Sequence, residues 1–513
     1  MGDRARFSYE RHDAGCFVRA TAEIERTAIK APSCSLASRS CGVTQAFTAS
    51  GVQAQWAATP VLARLKILRA ARHRMASLSE DFTTAISPSL ARSKADTLVT
   101  ELLPLLDACR FLERKANSIL KPRKLGRSGR PLWLGGVQAE VHREPLGHVL
   151  VIGPSNFPLF LPGVQTLQAL AAGNSVTWKP GAGGAGVAML FARSLREAGL
   201  PEGLLAIADE SLEAAQQALA EGADKVVFTG SSQTGRAVLS TLAETATPSV
   251  MELSGADAIL VMPSADLSMV AKAVAFGLRL NGGAVCMSPR RLFASRASMA
   301  ELKPLLHAEL ARIAPVALHG STASRLHDML EEARLEGAVI SGELRPEAQL
   351  PIVVTNAHAR MRIASSDIFA PVITLLEAES MLHALDQYAQ CPYALTASIF
   401  CGSSDEKQAR AMAKMLKAGT VLINDVIAPT ADPRVAFGGR GASGYGVTRG
   451  AEGLLEMTAM KTLLVRRGGS MKHLEATQDS DAPMFSGLIA LMHGQGFKQR
   501  WNVLRQLIKS TRK

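Results

Sequence analysis

Three short apolar runs constrain the fold of this chain more than any other feature. Gly147–Gly153 (GHVLVIG) and Lys225–Thr229 (KVVFT) are mostly apolar over strand length, Ser175–Lys179 (SVTWK) carries Val176 and Trp178 as a strand between them, and each is closed by glycine or proline. Such runs, buried on both faces, belong to α/β sheets covered by helices. Helical patterns follow the first run at Val164–Ala172 and the third through Ala243. In open α/β sheets ligands gather beyond the carboxyl ends of the strands, so polar residues at those ends are the candidates for function. Asn156, in the turn PSNFP, is placed to donate a side-chain amide to a developing oxyanion; a helix cap or Asx turn is the commoner use of asparagine. Lys179 ends the second run and suits a phosphate or a ribose hydroxyl, or is simply solvated. After the third run, Gly230–Gly235 (GSSQTG) leads into a helix N-terminus, where free N–H groups and the helix dipole favour an anion. It matches neither G-x-G-x-x-G nor the Walker lysine pattern. Glu252 sits among apolar neighbours in VMELSG, as a general base with a burial-tuned pKa or as a paired structural acid.

A single cysteine, Cys286, stands in LNGGAVCMSPRR (Leu280–Arg291), with small residues around it and no acid beside it in the sequence. Glycine and alanine leave room for a ligand against the backbone. Arg290 and Arg291 follow, and positive charge favours the reactive thiolate. A buried structural cysteine is the plain alternative.

Length and composition narrow the classes. The 513 residues allow two or three domains, and 47% hydrophobic with 20% charged residues is ordinary for a globular protein. Seven cysteines occur without C-x-x-C spacing, against a disulfide framework or zinc site and for a reducing compartment such as the cytoplasm. The net charge of +12 lacks a recognition motif, so no nucleic acid is expected. Residues 1–50 lack an apolar h-region and carry Asp3, Glu10 and Asp13, which argues against a targeting peptide. They read as a poorly ordered extension or a small regulatory arm. From Gln53 to Leu120 the pattern is helical, with Leu62, Leu65, Leu68 and Ala71, then Val99, Leu102, Leu103, Leu106 and Cys109, as apolar faces. Lys121–Arg130 reads as a loop, and Pro131–His142 as a hairpin around Gly135-Gly136. Near the C-terminus Met484–Met492 reads as a short helix. Phe497–Lys513 is basic and amphipathic, suited to an anionic membrane surface, a partner or the protein's own oligomer.

Taken in order, PSNFP, WKP, FTGSSQTG, MELSG and NGGAVC resemble the aldehyde dehydrogenase superfamily. Asp367-Ile368-Phe369-Ala370-Pro371 looks like its E-x-F-G-P element, and Phe437-Gly438-Gly439-Arg440 with Ser443-Gly444-Tyr445-Gly446 looks like F-G-G-x-K-x-S-G-x-G. The match runs from about Gln53 to Val465. It implies an α/β fold with a Rossmann-like NAD(P)-binding domain (51–130 and 145–253), a catalytic domain (254–454) and an oligomerisation arm (131–144 and 455–466), with 467–513 as a tail. A homodimer or homotetramer and a small-molecule aldehyde substrate follow from the same resemblance. So does a mechanism. Cys286 attacks the aldehyde, Asn156 and the Cys286 N–H hold the thiohemiacetal oxyanion, NAD or NADP takes the hydride, and Glu252 activates water against the thioester. Thr229, Gly230, Ser231 and Gly235 would line the cofactor phosphates, and Lys179 its adenosine ribose. Asp367 would hold the nicotinamide ribose, with Phe369 beside the ring. No metal is implied. An acylating or phosphorylating enzyme on this scaffold, or a nucleotide-binding protein without turnover, are the alternatives; Glu252 argues against the former.

Departures from the family pattern are Ser155 for the usual Trp, Gly181 and Ala182 where many members carry a ribose-binding acid, Asp367 for Glu, Ala284 for Gln and Ala370 for Gly. Loss of the acid removes a repulsion against a 2′-phosphate, so NADP is expected to be tolerated. Phe157, Leu159, Phe160 and Leu161 suggest an apolar aliphatic or aromatic aldehyde, or helix core.

Overall fold

The computed structural model describes residues 49–86, 88–90, 92–468, 474–496, 500–502 and 505, all within one compact unit, Thr48–Lys513. The stretch read as an N-terminal extension therefore lies, except for its last two residues, outside the described residues. So does most of the basic segment 497–513.

The helical start is α1 (Ala49–Ala58), α2 (Val61–Ser77) and α3 (Leu103–Leu120). Leu65, Leu68, Ala71 and Met75 of α2 pack with Leu105, Cys109 and Leu112 of α3 in one core. Leu62 is exposed, and so are Val99 and Leu103. The second displacement has a local cause: Leu98–Leu102 is a π-helical turn, which inserts a residue and rotates the buried stripe onto Leu102 and Leu105. Cys109 is core, as expected.

The expected hairpin does not form at Pro131–His142. Leu132–Leu134 is a single 3-10 turn, and Arg123–Leu125, read as loop, is strand β1. β2 (Val137–Pro145) pairs with β1 on one side and with β18 (Thr458–Arg466) on the other, antiparallel along all nine residues of β18. Proline and paired glycines punctuate the chain there, but which strand pairs with which is settled by distant residues. Met460, Leu463, Leu464 and Val465 on this arm are exposed.

The three founding runs are strands of the first sheet. It contains β3 (His148–Ile152), β4 (Ser175–Lys179), β5 (Leu205–Ile207), β6 (Lys225–Gly230) and β7 (Ser249–Leu253), all parallel, in the order β7-β6-β3-β4-β5. Alternate residues feed opposite faces: Val149, Val151 and Val227 join α4 (Phe160–Ala172) and the N-terminal helices, whereas Leu150, Ile152 and Phe228 join α5 (Ser232–Thr245). The connections after neighbouring β3 and β6 thus leave to opposite faces, which opens a crevice at their carboxyl ends.

The second sheet holds β8 (Asp257–Val261), β9 (Pro289–Ala294), β10 (Val339–Ser341), β11 (Ile352–Thr355), β12 (Val372–Glu377), β14 (Thr396–Phe400) and β15 (Thr420–Ile423), in the order β10-β11-β12-β9-β8-β14-β15 and parallel except for β10. Between its strands, β13 (Tyr393–Ala394) pairs with β16 (Arg440–Gly441). β17 (Gly444–Tyr445) then returns to the first sheet and pairs antiparallel with β7. Met484–Met492 lies within α7 (Ala482–His493), as its pattern predicts. Among the described residues no helix is long and apolar enough to cross a membrane.

Candidate active site

Cys286 lies on the loop between α6 (Leu267–Arg279) and β9. The loop is tightly coiled: Asn281, Gly282 and Gly283 have φ of 49°, 61° and 77°, a left-handed run that Asn and Gly tolerate best. A Cβ on Gly283 would lie 2.6 Å from the Ala370 carbonyl oxygen, so the Asp367–Pro371 segment packs directly against the Cys286 loop. Arg290 fastens the two together by donating to the carbonyls of Ala370 (2.5 Å) and Gly283. Arg291 donates to Ala256 and Tyr388 carbonyls (3.0 and 3.3 Å). Both guanidiniums donate to backbone oxygens, and of the two it is Arg290 whose charge still feels Cys286. Burial pushes the Cys286 thiol well up, Glu252 and Asp257 add to the rise, and the charge of Arg449 opposes it.

Glu252 reaches the same place from the other sheet. It is 4% exposed near the end of β7, paired in register with Thr229 of β6 on one side and Gly444 of β17 on the other. Burial raises its carboxyl to about 7, against the pull of a side-chain hydrogen bond with Cys286 and the charge of Arg449. One carboxyl oxygen, Oε1, is buried without a hydrogen-bond partner.

Asn156 follows β3 and donates through Nδ2 to the Ala284 carbonyl at 2.9 Å, two residues before Cys286. It caps no helix: α4 has no side-chain cap. Its position depends on a buried network that the sequence did not reveal. Arg92 donates to the Asn156 carbonyl, to Asn281 Oδ1 (3.0 Å) and to Glu101 Oε1 (2.6 Å), and lies 4.7 Å from the Phe157 ring centroid. Glu101 Oε2 accepts from the N–H groups of Leu159 (3.2 Å) and Phe160 (2.7 Å). The pair therefore grips both ends of the Asn156 turn. The signal in the sequence was slight: one acid in the apolar stretch Leu98–Leu106.

On the crevice side, Lys179 is 8% exposed and donates to the Glu210 carbonyl at 2.8 Å. Burial lowers its pKa, while Glu210 and Asp209 act to raise it. Acids therefore do stand beside Lys179, from the loop after β5 rather than from positions 181 and 182. Position 181 admits no side chain, because a Cβ there would collide with the backbone of Pro154 and Ser155. Ser231 caps α5 by accepting from the Thr234 N–H at 3.1 Å, and Thr229 Oγ1 accepts from Gln165 Nε2 at 3.2 Å. Gly230 is the last residue of β6, and Gly235 lets α5 close on β7, since its Cβ would lie 2.5 Å from Leu253. Asp367 accepts from Arg325 through its carbonyl (2.8 Å) and its carboxylate (3.3 Å), and from the Tyr393 hydroxyl at 3.3 Å. Burial and Asp367 raise the Tyr393 hydroxyl, and Ser232 at the start of α5 pulls it down, so Tyr393 stands between Asp367 and the crevice. Phe369 is half-buried between Ile368 and Ala370 of the core.

Residues 33–463 match the family model described as the aldehyde dehydrogenase family, a match that begins within the stretch read as an extension. The chain belongs to the aldehyde dehydrogenase family. A Methylomonas protein named 4,4'-diapolycopene aldehyde oxidase is 30% identical over 417 residues, covering 79% of this chain and 77% of its own. Among solved structures, a Mycobacterium tuberculosis aldehyde dehydrogenase complexed with NAD+ aligns with a TM-score of 0.73 at 24% identity, over 81% of this chain and 88% of that one. Betaine aldehyde dehydrogenase from Staphylococcus aureus in complex with NAD+ aligns with a TM-score of 0.75 at 22% identity, over 84% and 88%. In this aldehyde dehydrogenase the crevice fits a dinucleotide. The open N–H groups that begin α5, the Ser231 hydroxyl and the Lys179 ammonium line one sheet edge, where phosphate and ribose oxygens find donors.

Proposed function

We propose that the chain oxidises an apolar aldehyde to its carboxylic acid with NAD or NADP, and that Cys286, Glu252 and Asn156 do the work. The observation that carries this reading is the meeting of a thiol, a carboxyl with an unpartnered oxygen and a side-chain amide, drawn from three distant parts of the chain. The hydrogen bond between Glu252 and Cys286 is the path by which the carboxylate removes the thiol proton. The thiolate then attacks the carbonyl carbon. Asn156 Nδ2 carries two N–H groups and spends one on Ala284, which leaves one for the thiohemiacetal oxyanion alongside the Cys286 N–H. The bound oxidised nicotinamide supplies a hydride acceptor. Glu252 then gives up the thiol's proton to solvent and, again ionised and with Oε1 free, takes a proton from the water that cleaves the thioester. That adjacency argues against a thioester kept for transfer to another acceptor.

An apolar substrate is supported by the relative named for a 4,4'-diapolycopene aldehyde, whereas Phe157 and Phe160 beside Asn156 belong to the core. Leu159 is fully buried core. The exposed apolar residues of β18 support a homodimer or homotetramer built through the arm. Four unpaired cysteines among the described residues fit a reducing compartment, which we take to be the cytoplasm. A panel of aliphatic, aromatic and carboxylated aldehydes, followed by NAD(P)H absorbance with Cys286→Ala as control, tests the reading. Turnover that survives in the control, or cofactor binding with no turnover on any aldehyde, rejects it.

A further inference from the structure

Arg449 is the buried charge that the mechanism above leaves unused. It is 3% exposed, and its backbone sits at φ 63°, ψ 174°, a conformation that a side chain larger than glycine adopts at a cost. The strain is held by a short antiparallel bridge, Phe437 with Thr448, and by Gln168, whose side-chain oxygen accepts the Arg449 N–H at 3.2 Å. The guanidinium lies 4.3 Å from the Phe437 ring centroid and 5.4 Å from that of Phe160. Nη1 donates to the Thr430 carbonyl at 2.5 Å, whereas Nε and Nη2 are buried with no hydrogen-bond partner. The Thr430 hydroxyl meets Met287 Sδ at 3.5 Å, so the anchor of Arg449 abuts the residue after the nucleophile. Two aromatic faces and one carbonyl are poor compensation for a desolvated cation. A buried charge of this kind persists where it is paired with an opposite one.

We propose that Arg449 is a positioning residue that holds one negative charge on the Cys286–Glu252 pair. The proposal rests on the reading of that pair given above. Moving the proton from the thiol to the carboxylate makes a thiolate and a carboxylic acid, so the pair carries a single negative charge before and after the step. One fixed cation stabilises it in either place, and the two groups titrate as a unit. The charges facing the pair come from several elements. Arg449 draws both Cys286 and Glu252 down. Asp257 of β8 pushes the thiol up, and is itself faced by Arg291 and Arg290. Arg290 of β9 feels Cys286, but also Asp257 and Asp367, and its Nη1 and Nη2 groups go to carbonyls. Glu252 and Cys286 in turn raise the pKa of Arg449 against its burial.

Alkylation of Cys286 in the full-length protein tests this without aldehyde or cofactor. Iodoacetamide labelling of Cys286 is followed by mass spectrometry across pH for the unmodified protein and for Arg449→Met, Arg449→Gln and Arg449→Lys. Loss of the cation is expected to move the labelling midpoint up by about one pH unit or more, roughly tenfold less thiolate at fixed pH, with Lys restoring most of it. Folded Met or Gln variants with an unchanged midpoint overturn the proposal. So does a Lys variant shifted as far as the neutral ones, which remains readable if Met does not fold. Failure of the underlying reading looks different: NAD(P)H production that survives Cys286→Ala.

Discussion

Replacing Glu252 by Gln should stabilise the protein at alkaline pH while abolishing its hydrolytic turnover. The carboxyl is 4% exposed and its pKa rises from the ordinary 4.5 to about 7, with burial as the main cause. A carboxyl whose folded pKa lies above its unfolded value favours the protonated native state. Its contribution is intact below about pH 4.5 and is lost as the pH rises through about 7. The loss amounts to about 1 kcal/mol near pH 5 and about 3 kcal/mol near pH 8.5, from roughly 1.4 kcal/mol per pKa unit. Glutamine keeps the shape and a hydrogen-bonding group but has no charge to desolvate. Thermal unfolding of both proteins near pH 5 and pH 8.5 should therefore show the variant gaining a few degrees on the parent between the two conditions. In the same preparations, hydrolysis should drop by about 10²–10⁴-fold, the usual loss of a general base. In the parent, turnover limited by thioester hydrolysis should fall with acidification about a midpoint near pH 7 rather than near 4.5, because the base must be ionised to act. A variant whose relative stability does not depend on pH would refute the reasoning, since it would mean that the carboxyl is not desolvated.

Asn156→Ala should lower kcat by about 10²–10³-fold with little change in aldehyde KM, the signature of an oxyanion donor, in steady-state kinetics. Arg92→Met leaves Glu101 buried and unpaired, so chemical unfolding should show a loss of about 3–5 kcal/mol. Its kcat/KM should fall as well, because the Asn156 turn loses its clamp. Glu210→Gln removes a negative charge beside Lys179, and the ratio of NADP to NAD affinity measured by calorimetry should rise by about tenfold, roughly 1.4 kcal/mol.

The residues proposed to touch the chemistry were legible because strand ends advertise themselves. Asn156, Glu252 and the Gly230–Gly235 turn each stand where an apolar run stops, and Cys286 stands among small residues. What was not legible is what surrounds them. Arg92 lies 64 positions from Asn156, Glu101 58 and 59 from Leu159 and Phe160, Tyr393 26 from Asp367, Glu210 31 from Lys179 and Arg449 281 from Gln168, and no local pattern marks such pairs. For Arg290 and Arg291, nearness to Cys286 in sequence said nothing of the carbonyls they would find. In the fold, a π-helical turn rotated one helix face, and the arm paired strands more than 300 residues apart where the sequence suggested a hairpin. Periodicity reports a residue's own helix or strand, whereas register between distant strands is set only on folding.

The arrangement follows from how the chain passes between its sheets. β7 of the first sheet and β8 of the second are joined by Ser254-Gly255-Ala256 alone, so the acid near the end of β7 is carried straight to the boundary. The nucleophile loop closes on that joint: a Cβ at Gly255 would lie 2.6 Å from the Cys286 carbonyl oxygen. The chain then comes back to lock the joint. Ser443 Oγ donates to the Ser254 carbonyl (2.8 Å) and accepts from the Ala394 N–H (3.0 Å), and β17 lies along β7 at Glu252. Gly444 opposite Glu252 has φ 98°, and a Cβ there would strike the Met251 carbonyl. Glu252 and Cys286 are therefore held together by backbone contact on both sides rather than by a flexible hinge. A side chain at 255 would push the Cys286 loop off the joint, and one at 444 would push β17 off β7.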